Sequence, residues 1–195
     1  MRLLVCGGAG FIGSNFVRVR VRDHGDDVVV LDKLTYAGRR ENLQDVAHQF
    51  VHGSIEDAQV AAAAMEGADA VVNFAAETHV DRSIAEPDAF VTTHALGTYV
   101  LLEAARAQQV RFVQVSTDEV YGSIEEGSFT ESSPLAPSSP YSATKAGADL
   151  LVWSYFHTFG LEAHFRAHRG QHVQESQVAL QRIRAEADHG RLSAE

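Results

Sequence analysis

The sequence predicts an α/β fold built on a doubly wound parallel sheet, and three observations predict it. Short apolar runs alternate with longer amphipathic ones, and the clearest of the short runs, Val28 to Leu31, has no polar interruption, as a strand buried on both faces requires. Gly7, Gly10 and Gly13 stand between the first apolar run and the first amphipathic segment. An acid, Asp32, closes the second run about 20 residues past the last of these glycines.

In order, Arg2 to Cys6 reads as a strand and Phe11 to about Asp23 as a helix, with Phe11, Ile12, Phe16, Val19 and Val21 as its apolar positions. Asp27 to Asp32 is the second strand, and a short third one surrounds Phe50 and Val51. An alanine-rich helix from Asp57 to Glu66 leads to a strand from Ala70 to Phe74. Asp88 to Gln108 reads as a long helix, Arg111 to Ser116 as a fifth strand and Tyr141 to Phe159 as another long helix. Between the last two, Ser132 to Pro140 holds three prolines and four serines and is a loop. Such alternation predicts right-handed crossovers and a ligand at the carboxyl ends of the strands.

Composition narrows the function classes. A formal charge of −10 on 195 residues argues against a nucleic-acid partner, which would need a basic stripe. No apolar run approaches a membrane span, and Leu3 to Cys6 is too brief for a signal peptide, so a cytoplasmic location is expected. The single cysteine, Cys6, excludes a disulfide framework and reads as a small buried hydrophobe. Only two lysines occur, Lys33 and Lys145, against fourteen arginines.

The glycine triplet carries chemistry because its position serves three needs. The first glycine permits a tight turn, the second lets the backbone approach a pyrophosphate, and the third allows the helix to pack closely. A carboxylate at Asp32 accepts hydrogen bonds from ribose hydroxyls and repels a 2′-phosphate, so the expected cofactor is NAD rather than NADP. Tyr141 and Lys145, four apart at a helix start, share one face. A free phenol has a pKa of about 10, and a neighbouring ammonium together with a positive nicotinamide ring favours the phenolate, making Tyr141 a candidate base. Ser116, Thr117, Asp118 and Glu119 follow the fifth strand at the sheet edge where substrate belongs. Two carboxyl groups in unlike environments can hold one proton and lose another, which elimination of water needs.

These residues resemble the extended short-chain dehydrogenase/reductases and, within them, the dTDP-glucose 4,6-dehydratases. The matching stretches start at Gly7 (Gly-Gly-Ala-Gly-Phe-Ile-Gly), Leu31 (Leu-Asp-Lys-Leu-Thr-Tyr-Ala-Gly), Ala75 (Ala-Ala-Glu-Thr-His-Val-Asp-Arg-Ser), Ser116 (Ser-Thr-Asp-Glu-Val-Tyr-Gly) and Tyr141 (Tyr-Ser-Ala-Thr-Lys). The resemblance implies a cycle in which carbon 4 of the glucose of dTDP-glucose is oxidised, water leaves across carbons 5 and 6, and hydride returns to carbon 6. It implies that Tyr141 is the base, that Lys145 tunes it and binds ribose, and that Thr117 contacts the sugar. It further makes Asp118 the acid at carbon 6 and Glu119 the base at carbon 5. By the same resemblance Gly7, Gly10, Phe11, Ile12, Gly13, Asp32, Lys33, Leu34, Thr35, Ile55, Phe74, Ala75, Ala76, Thr78, Thr93, Tyr141 and Lys145 line the cofactor. Thr78 and Thr117 then also touch substrate, and a homodimer forms through the helices Asp88 to Gln108 and Tyr141 to Phe159.

Three departures stand out. Ser54 replaces the usual Asp before Ile55, and His94 replaces the usual Asn before Gly97 and Thr98, where a packed, hydrogen-bonded histidine is expected. The third is the end of the chain. Residues 1–161 are expected to form the NAD-binding, Rossmann-like unit with the catalytic residues. Residues 162–195, rich in histidine, arginine and glutamine, are an atypical tail expected from truncation or a shifted reading frame, so the substrate domain is largely missing. There, Val173, Leu180, Ile183 and Ala187 form one weak amphipathic stripe. His164, His168 and His172 recur every four residues, but Gly170 interrupts the helix and no carboxylate completes the set, so no metal site is expected. Two alternatives to the dehydratase stay open: an inactive NAD-binding remnant and a sugar-nucleotide epimerase that leaves Asp118 and Glu119 unemployed.

Overall fold

The computed structural model describes residues 1–124, 126–130 and 133–166. Six strands form one parallel sheet: β1 (Arg2–Cys6), β2 (Asp27–Asp32), β3 (Gln49–His52), β4 (Ala70–Asn73), β5 (Arg111–Val115) and β6 (Ala163–Arg166). Their spatial order is β3-β2-β1-β4-β5-β6, so the winding reverses between β1 and β4, and a doubly wound sheet opens its ligand crevice there.

Side chains alternate across the sheet and feed two cores. On one face Leu4, Cys6, Val29, Leu31, Val71 and Phe112 pack with α2 (Ala58–Met65), α5 (Gly97–Gln108) and α6 (Pro140–Phe159). On the other, Leu3, Val5, Val28, Val30, Val72 and Val113 pack with Phe16 and Val17 of α1 (Phe11–His24). Cys6 is buried in the first of these cores, and burial pushes its thiol far above the usual range, as an inert packing residue requires.

The elements follow the expected pattern, with four differences that matter. In α1, Phe11 is 81% exposed instead of packed, and the buried face is Gly13, Ser14, Phe16, Val17 and Arg20. Arg20 enters the core because its Nε donates to Asp26 at 2.6 Å, and Asp26 also accepts from the amino group of Met1 at 2.8 Å. A buried ion needs such pairing, which apolar periodicity cannot register.

Secondly, the expected helix from Asp88 is three consecutive pieces: α4 (Pro87–Phe90), a π-helical segment (Val91–Leu96) and α5. The wider turn buries Thr93 and His94 together. A short helix α3 (Val80–Ala85), unassigned from the sequence, precedes them, entered through His79 at φ 76°. Lastly, β6 extends the sheet past Leu161 into the stretch read as tail, pairing Phe112 with Ala163 and Val113 with His164. Four residues are too few for a periodicity signal, although Ala163 is buried and His164 exposed as alternation demands. The histidines at 168 and 172 and the stripe from Val173 lie outside the described residues. Among the described residues no helix is long and apolar enough to cross a membrane.

Candidate active site

The glycine loop links β1 to α1. Gly7 sits at φ +72°, and a Cβ there would stand 2.6 Å from the amide nitrogen of Ala75, where β4 ends. A Cβ on Gly13 would stand 2.3 Å from the carbonyl oxygen of Gly7, so the helix start is pressed onto the turn. Gly10 is the extended N-cap residue of α1 and supplies no capping side chain, and the first turn holds no acid. The positive helix end and its free amides therefore face the crevice, ready for an anion.

Asp32 ends β2 buried. Its Oδ2 accepts from the amide of Ala9 at 2.9 Å and its Oδ1 from the amide of Leu34 at 2.8 Å. Each oxygen keeps a lone pair for a hydroxyl partner. Next to it, Lys33 Nζ donates to Thr93 Oγ1 at 3.0 Å and to Glu56 Oε1 at 3.2 Å, and it pairs with Glu77 Oε1 at 3.4 Å. Thr93 donates to the same Glu56 oxygen at 2.8 Å, and these partners hold the Glu56 carboxyl below the usual carboxylate range against its burial. Ser54, in the place of the expected Asp, accepts from the Glu56 amide.

Together these elements enclose a cleft of about 300 Å³ at the carboxyl ends of β1, β2, β4 and β5. Of the expected cofactor residues, Gly7, Gly10, Phe11, Ile12, Gly13, Asp32, Lys33, Thr35, Ile55, Phe74, Ala75, Ala76, Thr78, Thr93, Tyr141 and Lys145 line it. Leu34 does not: at φ 54° it gives its amide to Asp32 instead. Sequence reasoning passed over Leu31, Ala37, Gly38, Gly53 and Val115, which also line the cleft beside Ser116, a residue already placed at the substrate edge of the sheet. It also missed Tyr36, whose hydroxyl bonds Thr78 across the cleft mouth while Arg82 lies over its ring at 4.3 Å. Tyr36, Ala37, Gly38 and Ser116 sit inside quoted motifs, so the signal was present, but only the fold shows which of them reach the cleft.

Thr117, Asp118 and Glu119 do not line the cleft. Thr117 caps a short 3₁₀ turn (Asp118–Tyr121), accepting from the Glu119 amide at 3.3 Å, and stands close enough to the Tyr141 phenol to act on its proton affinity. This brings the three residues to the rim beside Tyr141. Partial burial and the charge of Asp118 raise the Glu119 carboxyl above its ordinary value. Lys145 is buried and donates to the carbonyl of Val115 at 2.7 Å. Tyr141 differs from the expectation of an acidified phenol: burial, then Glu119, push its pKa above 10, against the lowering effect of Thr117. In the protein alone the phenol keeps its proton.

His94 is packed, as expected. Its Nε2 faces the carbonyl of Glu77 at 3.0 Å and so carries the hydrogen, leaving Nδ1 to accept from Thr144 at 2.8 Å. Burial, then the charge of Lys145, lower its pKa to about 3. The neutral ring meets Tyr141 edge-on at 5.7 Å. Among the described residues no three His, Cys, Asp or Glu gather as metal ligands.

The comparisons agree with this geometry. The family described as GDP-mannose 4,6 dehydratase matches residues 4–186, past the limit the motifs set at Leu161. The chain is 55% identical over 169 residues to a dTDP-glucose 4,6-dehydratase of Mycobacterium tuberculosis, covering 84% of this chain and 51% of that one. The crystal structure of DesIV, a dTDP-glucose 4,6-dehydratase from Streptomyces venezuelae with NAD bound, superposes with a TM-score of 0.82 at 54% identity, over 85% of this chain and 54% of that one. A UDP-glucose 4-epimerase of Thermus thermophilus in complex with NAD gives 0.78 at 34% identity, over 85% and 54%. The chain spans about half the length of these relatives. A doubly wound sheet, the glycine cradle and the Tyr141–Lys145 pair agree with a family match over most of the sequence, and the chain belongs to the GDP-mannose 4,6-dehydratase family.

Proposed function

We propose that the chain is the NAD-binding, catalytic half of a dTDP-glucose 4,6-dehydratase, forming dTDP-4-keto-6-deoxyglucose for deoxysugar biosynthesis. One observation carries the reading: Thr117, Asp118 and Glu119 gather around Tyr141 at the rim of a cleft whose other end is an anion cradle. The cradle fits NAD, because Gly10 and the uncapped start of α1 leave room and donors for a pyrophosphate, and Asp32 offers oxygens to a ribose. Gly7, Gly10, Phe11, Ile12 and Gly13 would hold the phosphates, Asp32 and Lys33 the adenosine ribose, and Tyr141 and Lys145 the nicotinamide ribose. Bound NAD supplies a hydride acceptor and later a hydride donor.

The protein's own part is proton handling. Tyr141 takes the proton of the sugar 4-hydroxyl as a phenolate, which Lys145 and a positive nicotinamide ring favour by lowering its proton affinity. Thr117 and Thr78 orient the sugar. Once carbon 4 is a ketone the carbon 5 proton is acidic, and Glu119, with its raised proton affinity, removes it. Asp118 protonates the departing 6-hydroxyl. Incubating the protein with NAD and dTDP-glucose tests the reading, and the expected product is a 4-keto sugar nucleotide lighter by one water. A folded, NAD-loaded protein that releases no such product would leave the remnant reading instead.

A homodimer belongs to the same proposal. Leu96, Tyr99, Leu150, Trp153 and Phe156, on the helices read as the interface, are large apolar residues exposed to solvent, and such a face favours pairing.

A further inference from the structure

We propose that Asp149 is a positioning residue that keeps Lys145 protonated and fixed at the end of β5. Its catalytic meaning rests on the reading of Tyr141 and Lys145 as a working pair, but the charge relationship stands apart from it. The two residues lie one turn apart on α6 and are both buried. They grip consecutive residues of the strand end: Lys145 Nζ donates to the Val115 carbonyl at 2.7 Å, and the Ser116 hydroxyl donates to Asp149 Oδ2. The second oxygen, Oδ1, is buried without a hydrogen-bond partner. One oxygen of the carboxylate thus takes the Ser116 hydrogen bond, and the other contributes charge alone.

The charge is needed because a neutral carbonyl does not hold a proton on a buried amine. Burial lowers the proton affinity of Lys145, and Asp149 is the group that opposes it. The groups facing Lys145 from other elements do not supply the charge. His94, from the π-helical segment, is neutral, and Asp118 and Glu119 act on the Tyr141 phenol. In turn Asp149 is raised to about 6 by burial, and the Ser116 hydrogen bond and the Lys145 charge restrain that rise. Without Asp149 the proton affinity of Lys145 would fall further, and its support of a phenolate would weaken.

Lys33 and Lys145 are the only lysines, so ¹³Cε-lysine labelling gives two NMR signals, and Lys33→Arg assigns them. In the unsubstituted protein the Lys145 signal should bend near pH 6, where Asp149 ionises, before its own titration. Asp149→Asn should erase that inflection and lower the Lys145 midpoint by about one pH unit or more, a tenfold or larger loss of proton affinity. Ser116→Ala should move the inflection to higher pH. A Lys145 midpoint unchanged in Asp149→Asn, or no inflection in the unsubstituted protein, overturns the proposal. A purely structural Asp149 would produce those results. If Asp149→Asn fails to fold, the unsubstituted and Ser116→Ala titrations decide. An NAD titration of the same samples separates the two readings: absence of NAD binding sinks the proposed function and leaves the charge relationship as measured.

Discussion

The position a Cβ would take on Gly13 lies 2.3 Å from the carbonyl oxygen of Gly7. The contact is backbone to backbone, so no side chain can rotate away to relieve it. Gly13→Ala should therefore push α1 off the turn, costing about 1–3 kcal/mol as overpacking does. Thermal melting should show the loss, and calorimetric titration should show NAD affinity reduced at least about tenfold, because the helix start no longer meets the phosphates.

Asp32 holds the amides of Ala9 and Leu34 with its two oxygens. Asp32→Asn keeps the size but turns an NH₂ toward one of those donors and removes the charge. A hydrogen bond to a charged group is worth about 1.5–3 kcal/mol, so NAD affinity should fall about tenfold to a hundredfold. Discrimination against NADP should shrink, since the repulsion of a 2′-phosphate goes with the charge. Equal losses for both dinucleotides would contradict the assigned role.

Tyr141 serves the dehydratase and the epimerase alike, and Glu119 separates them. Tyr141→Phe should abolish reduction of bound NAD by the sugar nucleotide, a loss of about 10²–10⁴ in rate, while the protein still binds NAD. Glu119→Gln should allow that first reduction and stop loss of water, seen as exchange at carbon 5 slowed to background. A Glu119→Gln protein with full turnover to an inverted sugar would favour the epimerase.

His94 makes stability depend on pH. Its folded pKa of about 3 lies below the ordinary 6.5, so between these values the unfolded chain binds a proton that the folded one refuses. Stability from this residue is complete above 6.5 and is lost as pH falls toward 3, by up to about 5 kcal/mol. Denaturant unfolding of His94→Asn across that window should lack this component, and a parallel pH dependence in both proteins would exclude it.

Trp153 is 54% exposed on α6, between Leu150 and Phe156. Trp153→Arg should convert a dimer to a monomer in sedimentation equilibrium without changing the melting of the separated subunit by more than about 0.5 kcal/mol. An unsubstituted protein that is monomeric at every concentration would end the dimer proposal.

What the sequence determined alone was everything carried by contiguous residues: the doubly wound α/β class, the glycine turn, Asp32 at the end of β2, and Tyr141 with Lys145 on one helix face. Each is a local signal, in which residue type, spacing and the strand or helix around it lie in one short stretch. The tertiary structure decided what depends on distant atoms. Arg20 lies in the core because Asp26 meets it there. Thr93 and His94 turn inward because the helix widens at the π-helical segment, and β6 exists because β5 offers an edge. It also set the protonation of the site. The phenol of Tyr141 keeps its proton in the protein alone, and a carboxylate that no motif singled out faces Lys145, because burial and neighbouring charge are properties of packed neighbours and not of spacing.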